Sequence, residues 1–445
     1  MDKKSIDTIP VKIKAELGDQ IMHLAFGEED KNIRLAFQFD GILDEVLFKK
    51  AIEITLPQEP MINYYYEEGW RNSYWKKDRK VGISEIFSLC EAQEDPKSEV
   101  HKFLVQKADP YHAPQVKIKI FRYNNNDSLY MIVPHAVTDG MGIVIFASKL
   151  SENYRKLQKD INHLPNPGVK YDRSNRIILK KYRFGEKIKA LFDRSMIDET
   201  KRLKEFNYVF PWDKANTKYP YIYLHSIHPE KVRLLDRYRK NIGCTIDDII
   251  LSAYFRTFYN MNPNIDCKTR VVNVAVNLRK YLNAGTADCF CNYATILNII
   301  LQNDIDLPFE DTLNEVRKIK ETKHLYSPVS ENSKIPGFSG VLLFSLISKM
   351  LSYSSMKKKF SKKSDLDRIP FLSDVGRLDK ANISFGDLQV KNAYFIGSFP
   401  NNPGFRLTCS RYNDTINLTI AFNGNENDKA QVKAFMERFE KELPV

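Results

Sequence analysis

Residues 117–157 carry the pattern that most constrains how this chain folds. Residues 117–123 (KIKIFRY) alternate polar and apolar, 124–127 (NNND) are turn chemistry, and 129–134 (LYMIVP) form a second, more apolar run. That order predicts an antiparallel hairpin ending at His135. From 143 to 157 (IVIFASKLSENYRKL) apolar residues crowd the first turns and charges follow, as in a helix leaving a buried sheet. His135 to Gly142 is then a strand-to-helix loop.

The same two periods recur along the chain. Residues 33–39 (IRLAFQF) predict a strand and Asp40-Gly41 a turn. Asp44 then fits a helix N-cap, with Leu47, Phe48, Ala51 and Ile52 at helical spacing until Pro57 and Pro60. The aromatic stretch 61–75 predicts a hairpin of half-buried strands. Further strands are expected at 220–227, 270–277, 293–301, 393–399, 404–411 and 415–422. Helices are expected from Pro229-Glu230 to Gly243, from Thr245 to 259, at 308–323 and at 428–441. At 445 residues the chain is long enough for two domains of roughly 200 residues each. The proline- and glycine-bearing segment 161–176 reads as a surface crossing, which puts an N-terminal lobe at 1–175 and a C-terminal lobe at 176–445. The predicted class is mixed α/β in both halves.

Charge and cysteine usage narrow the function classes. A net charge of +12 attracts anions, whether nucleotide phosphates, an acidic protein or a membrane surface, so peripheral membrane contact stays open. The basic stretches at 178–205 and 357–363 lack aromatic interleaving, helix-turn-helix pattern or zinc-finger spacing, so no nucleic-acid partner is expected. The first of them is spaced like an amphipathic helix. The most apolar stretch, Val341 to Ile347, falls far short of the roughly 20 residues that span a bilayer. The opening residues MDKKSIDTIPVKIKAEL carry no apolar run, so the expectation is a cytoplasmic protein, acting as a monomer, whose six cysteines stay reduced. Cys289 and Cys291 are spaced to share one face of a strand, yet no neighbouring ligands complete a metal site. His225 and His228 likewise lack an acidic ligand. Gly337 to Gly340 misses the hydrolase elbow by one position, and no phosphate-cradling or dinucleotide glycine string occurs.

The residues that carry chemistry are His135, Asp139 and Gly140, an H-x-x-x-D-G string after an apolar strand. A loop after a buried strand can hold a histidine rigidly, and Gly140 would permit backbone geometry that other residues resist. An imidazole so fixed can take a proton from an alcohol or amine and return it to a leaving thiolate. Asp139 would pair with an arginine to hold the loop. The same string also suits a half-buried histidine satisfied by backbone bonds, with Asp139 as a helix cap, and it does not by itself choose between the two.

Several segments together resemble the chloramphenicol-acetyltransferase-like superfamily. That group includes nonribosomal-peptide condensation domains, alcohol acetyltransferase-like enzymes, wax ester synthases and polyketide-associated acyltransferases. His135 to Gly140 matches its active-site string, and FDGILDEVLFKKAIE at 39–53 its first strand and helix. GCTIDDIILSAYFRTF at 243–258 is similar to an early helix of the C-terminal lobe. VNVAVNLRKYL at 272–282 resembles the strand ending in Asn-x-Arg, FCNYAT at 290–295 the Asn-containing turn, and SDVGRLD at 373–379 a loop near the tunnel floor. The resemblance implies a two-lobed α/β fold with a tunnel between lobes and His135 as general base at its middle. It implies Arg279 as partner of Asp139, and Asn292, Asp374 and Gly376 along the site. No tightly bound cofactor is implied; acyl-CoA or a phosphopantetheinyl acyl carrier would serve as co-substrate, with a small alcohol or amine as acceptor. Pro134 stands where peptide condensation domains carry a first histidine, and the D-F-G-W-G string of plant acyltransferases is absent. An alcohol acceptor is therefore favoured. Amide formation between carrier proteins and a non-catalytic scaffold of the same fold are the alternatives.

Overall fold

The computed structural model describes residues 10–24, 30–78, 81–166, 173–174, 180, 185, 201–203, 206–214, 218–262, 269–282, 288–302, 307–322, 345–347, 350–360, 368–379 and 383–445. Most of the basic stretch 178–205, part of 357–363, Gly337 to Gly340 and most of Val341 to Ile347 lie outside these described residues. The first half of the chain forms β1 (Lys12–Lys14), α1 (Leu17–Leu24), β2 (Asn32–Asp40), α2 (Glu45–Thr55), β3 (Tyr64–Glu67), β4 (Tyr74–Lys77), α3 (Ile83–Ile86), β5 (Phe87–Glu91), α4 (Lys97–Leu104), β6 (Lys117–Tyr123), β7 (Asn126–Pro134) and α5 (Gly140–Lys159). The second half forms β8 (Tyr219–Ile227), α6 (Pro229–Ile242), α7 (Ile246–Tyr259), β9 (Arg270–Asn277), β10 (Ala294–Leu301), α8 (Phe309–Thr322), α9 (Tyr353–Phe360), β11 (Phe371–Arg377), β12 (Gln389–Ile396), β13 (Arg406–Tyr412), β14 (Thr415–Gly424) and α10 (Glu426–Glu442).

Local chemistry explains the boundaries. Asp44 accepts from Leu47 N at 3.0 Å and opens α2. Thr245 and Asp248 form a reciprocal capping box at the start of α7, and Gly243 ends α6 in the left-handed region at φ 68°. Asn124 and Asn125 take φ of 49° and 55° in the β6–β7 turn, a conformation asparagine tolerates better than most residues.

The strands assemble into a five-stranded sheet in the order β12-β2-β7-β6-β5, a six-stranded sheet β10-β9-β11-β13-β14-β8, and a small sheet β1-β4-β3. In β7, Leu129, Met131 and Val133 pack toward α2 and α5, while Tyr130 and Ile132 pack toward the six-stranded sheet. Both faces of the strand are covered, which is why it reads more apolar than its partner β6. A second core joins α7 and α10 to the six-stranded sheet through residues such as Tyr254, Phe258, Phe405 and Phe435. Strand β12, from late in the chain, pairs antiparallel with β2 from Gln389↔Asp40 to Ile396↔Arg34. Among the described residues no helix is long and apolar enough to cross a membrane.

Two expectations change. Residues 373–379 are not a loop: β11 lies between β9 and β13, parallel to both, with a register shift between Asp374 and Arg377. Gly376 sits in that irregularity at φ 83°, so the segment lost its strand signature to a residue the bulge requires. Cys289 and Cys291 are not on a strand either. They flank a tight turn in which Cys291 N donates to Cys289 O at 3.0 Å.

Candidate active site

Strand β7 delivers His135 to the seam between the two large sheets. Its backbone N–H donates to Lys31 O at 2.7 Å, fixing the strand end before the chain turns into the loop. The loop is then clamped from the other lobe. Arg279, in the 3₁₀ turn after β9, donates through one nitrogen to both oxygens of Asp139, each at 2.8 Å. Its second terminal nitrogen reaches Cys291 O at 2.7 Å and Cys289 O at 3.2 Å. Asp139 also accepts from Gly142 N at 2.9 Å, capping α5, and from Tyr293 N at 2.6 Å. One buried carboxylate therefore acts both as helix cap and as arginine partner, the two readings between which the sequence did not choose.

Carbonyls of the loop are held as well. Asn292 Nδ2 donates to Ala136 O at 2.9 Å and to Asp19 at 3.2 Å. Arg173 donates to Val137 O at 3.0 Å and to Asp19 at 3.1 Å, and Trp75 Nε1 donates to the same aspartate at 2.9 Å. Asp19 and Arg173 escaped sequence reasoning. Asp19 lies in a short amphipathic helix with no motif around it. Arg173 lies in a segment read as a surface crossing, yet it is buried.

The glycines divide the work differently from expectation. Gly140 is not in the left-handed region; its role is proximity, since a Cβ there would stand 3.3 Å from the Phe395 ring. Gly142 is the more crowded one, because a Cβ would meet Thr138 Oγ1 at 1.8 Å and Cys291 O at 3.3 Å. The D-G-M-G spacing was the available signal for it.

His135, Asp139, Gly140 and Arg279 border one cavity of about 90 Å³, together with Met22, Ile33, Val276, Asn277, Thr295, Ser373, Asp374, Phe395 and Thr408. Both lobes contribute walls. Burial lowers the His135 pKa below its usual value, opposed in part by its own backbone hydrogen bonding, the Asp139 charge and hydrogen bonding to Asn292. The shift favours the neutral form of the ring, the form that can accept a proton. Asp374 also borders the cavity; burial and the adjacent Asp247 carboxylate push its carboxyl up to about 7. Arg411 stands 2.8 Å from Asp247 and 3.5 Å from Asp374. Gly376 and Asn292 do not border the cavity. Gly376 N donates to Asp374 Oδ1 at 2.7 Å, and Asn292 sits behind the loop. His225 pairs with Glu440 at 2.7 Å on the far side of the six-stranded sheet, and among the described residues no group of three or more potential ligands could hold a metal ion.

No family model and no curated protein matches the chain. Solved structures do. The trichothecene 15-O-acetyltransferase TRI3 from Fusarium sporotrichioides superposes with a TM-score of 0.74 at 10% identity, covering 98% of this chain and 95% of that one. The first condensation domain of the CDA synthetase gives 0.67 at 14% identity, covering 97% and 95%. A variant of the starter condensation domain of rhizomide synthetase, solved with C8-CoA and Leu-SNAC, gives 0.62 at 10% identity, covering 97% and 93%. The chain has the two-lobed chloramphenicol-acetyltransferase-like fold that these proteins share.

Proposed function

We propose that the chain is an acyltransferase that moves an acyl group from a CoA or phosphopantetheinyl carrier thioester to an alcohol, or less readily an amine, with His135 as general base. The observation that carries this reading is the placing of His135 at an interlobe cavity, on a loop clamped by the Asp139–Arg279 pair. The O-acetyltransferase and the C8-CoA complex among the fold neighbours support the reaction class.

In this mechanism His135 takes the proton from the acceptor hydroxyl as its oxygen attacks the thioester carbonyl. The tetrahedral intermediate collapses with cleavage of the carbon–sulfur bond, and the imidazolium returns its proton to the departing thiolate. Nothing is consumed beyond donor and acceptor. Asp139, Gly140 and Arg279 keep the ring in place, while Asn292 fixes the loop behind it. Asp374, braced by Gly376, offers a carboxyl on the cavity wall for orienting the acceptor.

The test is thiol release from a panel of acyl-CoAs and acyl-carrier proteins with mixed alcohols and amines, comparing wild type with His135→Ala. A fall of about a hundredfold or more in the variant is expected for loss of a general base. Release with amines but not alcohols would move the function to amide-forming condensation. No release from either protein, with carrier binding intact, would leave a scaffold.

A further inference from the structure

The β3–β4 hairpin leaves a face that acyl transfer does not use. Trp70, at its tip, is 76% exposed, although Trp75 on the same hairpin is fully buried. The start of α9 lies against that tip: Ser354 N donates to Trp70 O at 3.1 Å and Tyr353 N to Arg71 O at 3.2 Å. Two and three residues before Tyr353 in sequence, Leu351 is 38% exposed and Met350 84% exposed. Single exposed apolar residues are ordinary, but three large ones on two segments tethered to each other are less so.

Cations surround them. Arg71 is exposed next to Trp70, and Lys358 is exposed on α9. Along the outer face of the small sheet, Lys12 stands opposite Lys76, and Lys14 is exposed in the same strand. The carboxylates of the hairpin are already engaged: Glu67 with Lys12 at 3.5 Å and Lys76 at 2.7 Å, and Glu68 with Lys357 at 2.6 Å. Lys12 Nζ lies 4.0 Å from the Tyr74 ring, so the face interleaves aromatic and cationic groups.

We infer that the hairpin tip and the turn before α9 form a docking face for an anionic phospholipid bilayer. Trp70 would rest at the headgroup level with Met350 and Leu351 reaching the acyl boundary, while Arg71, Lys358 and Lys14 attract lipid phosphates. A tryptophan exposed at a hairpin tip beside exposed cations matches the chemistry of an anionic bilayer interface. The inference is independent of the acyl-transfer reading, because its readout is vesicle binding.

The experiment is co-sedimentation of the full chain with vesicles of phosphatidylcholine alone or mixed with phosphatidylglycerol, with tryptophan emission followed in parallel. Binding is expected only with the anionic lipid, weakening with salt and accompanied by a blue shift. Trp70→Ala/Met350→Ala and Arg71→Glu/Lys358→Glu should each weaken binding about tenfold or more. Trp70→Phe should abolish the emission shift, because Trp75 is buried and Trp212 is half-buried. Unfolding curves of the variants should match wild type, which separates lost binding from lost structure. Equal binding by wild type and both double variants overturns the inference. So does binding indifferent to lipid charge, or an acidic carrier protein held through these residues while vesicles are ignored.

Discussion

Replacing Arg279 with methionine removes one partner of a buried pair while keeping most of the apolar stem. Asp139 is 3% exposed and Arg279 6%, so water does not reach the gap freely. Losing one member of such a pair costs about 3–5 kcal/mol, because the remaining charge stays buried. Here Asp139 keeps two backbone donors, Gly142 N at 2.9 Å and Tyr293 N at 2.6 Å, while the carbonyls of Cys289 and Cys291 each lose the guanidinium but keep a backbone donor, Cys291 N at 3.0 Å and Asp139 N at 3.4 Å. The retained bonds place the expected loss at the low end, about 3 kcal/mol. Equilibrium urea unfolding of wild type, Arg279→Met, Asp139→Asn and the double variant would measure it. The double variant should be less destabilised than the two singles summed, by about 1 kcal/mol or more, because the singles remove one shared interaction. Arg279→Met within about 0.5 kcal/mol of wild type, or strict additivity, would refute the clamp.

Gly142→Ala should destabilise the fold by about 1–3 kcal/mol through overpacking on Thr138, and Thr138→Ala in the same chain should restore much of that loss in a thermal melt. If His135 is the base, the rate of thiol release should rise with pH and level off with an apparent pKa below the ordinary histidine value, since burial disfavours the protonated ring; an inflection above that value would contradict it. The same shift makes the folded state bind the His135 proton more weakly than the unfolded chain. Wild type should therefore lose stability as pH falls below the unfolded value, and His135→Ala should lose less. Asp374 is shifted the other way: the folded carboxyl, at about 7, holds its proton where the unfolded one has released it, so folding weakens as pH climbs from the ordinary aspartate range to neutrality. Asp374→Asn should match wild type at acidic pH and gain on it through that window by up to about 1.4 kcal/mol per pH unit; a constant difference across pH would count against a raised carboxyl.

The elements that could be read from sequence are those whose periodicity or capping is local. Asp44, Thr245, Gly243 and the Asn124–Asn125 turn each satisfy a backbone requirement within a few residues, and the structure places them as expected. Strand β11 could not be read, because the register shift at Asp374 and Gly376 breaks the alternation that marks a strand. At the site, the string from His135 to Gly140 and the Asn-x-Arg at Asn277 to Arg279 were legible as motifs, and the structure brings Asp139 and Arg279 together. Asp19 and Arg173 were not legible. Their importance arises from meeting 154 residues apart in sequence, and only the folded chain shows that they share bonds with the His135 loop. Gly142 lies between the two cases: it stands two residues past the string, but the clash that disfavours a side chain there involves the fold of the loop itself.

The pairing of β12 with β2 governs how the chain is born as well as how it rests. At roughly 5–20 residues per second, synthesis leaves tens of seconds between the emergence of residue 40 and that of residue 389. From the emergence of β7 until that of β12, β2, with the apolar run Ile33 to Phe39, is an uncovered edge beside β7. An exposed edge of that composition invites pairing with other nascent chains. Ribosome-stalled lengths ending before β12 should therefore bind chaperones strongly, and those ending after β14 should release them.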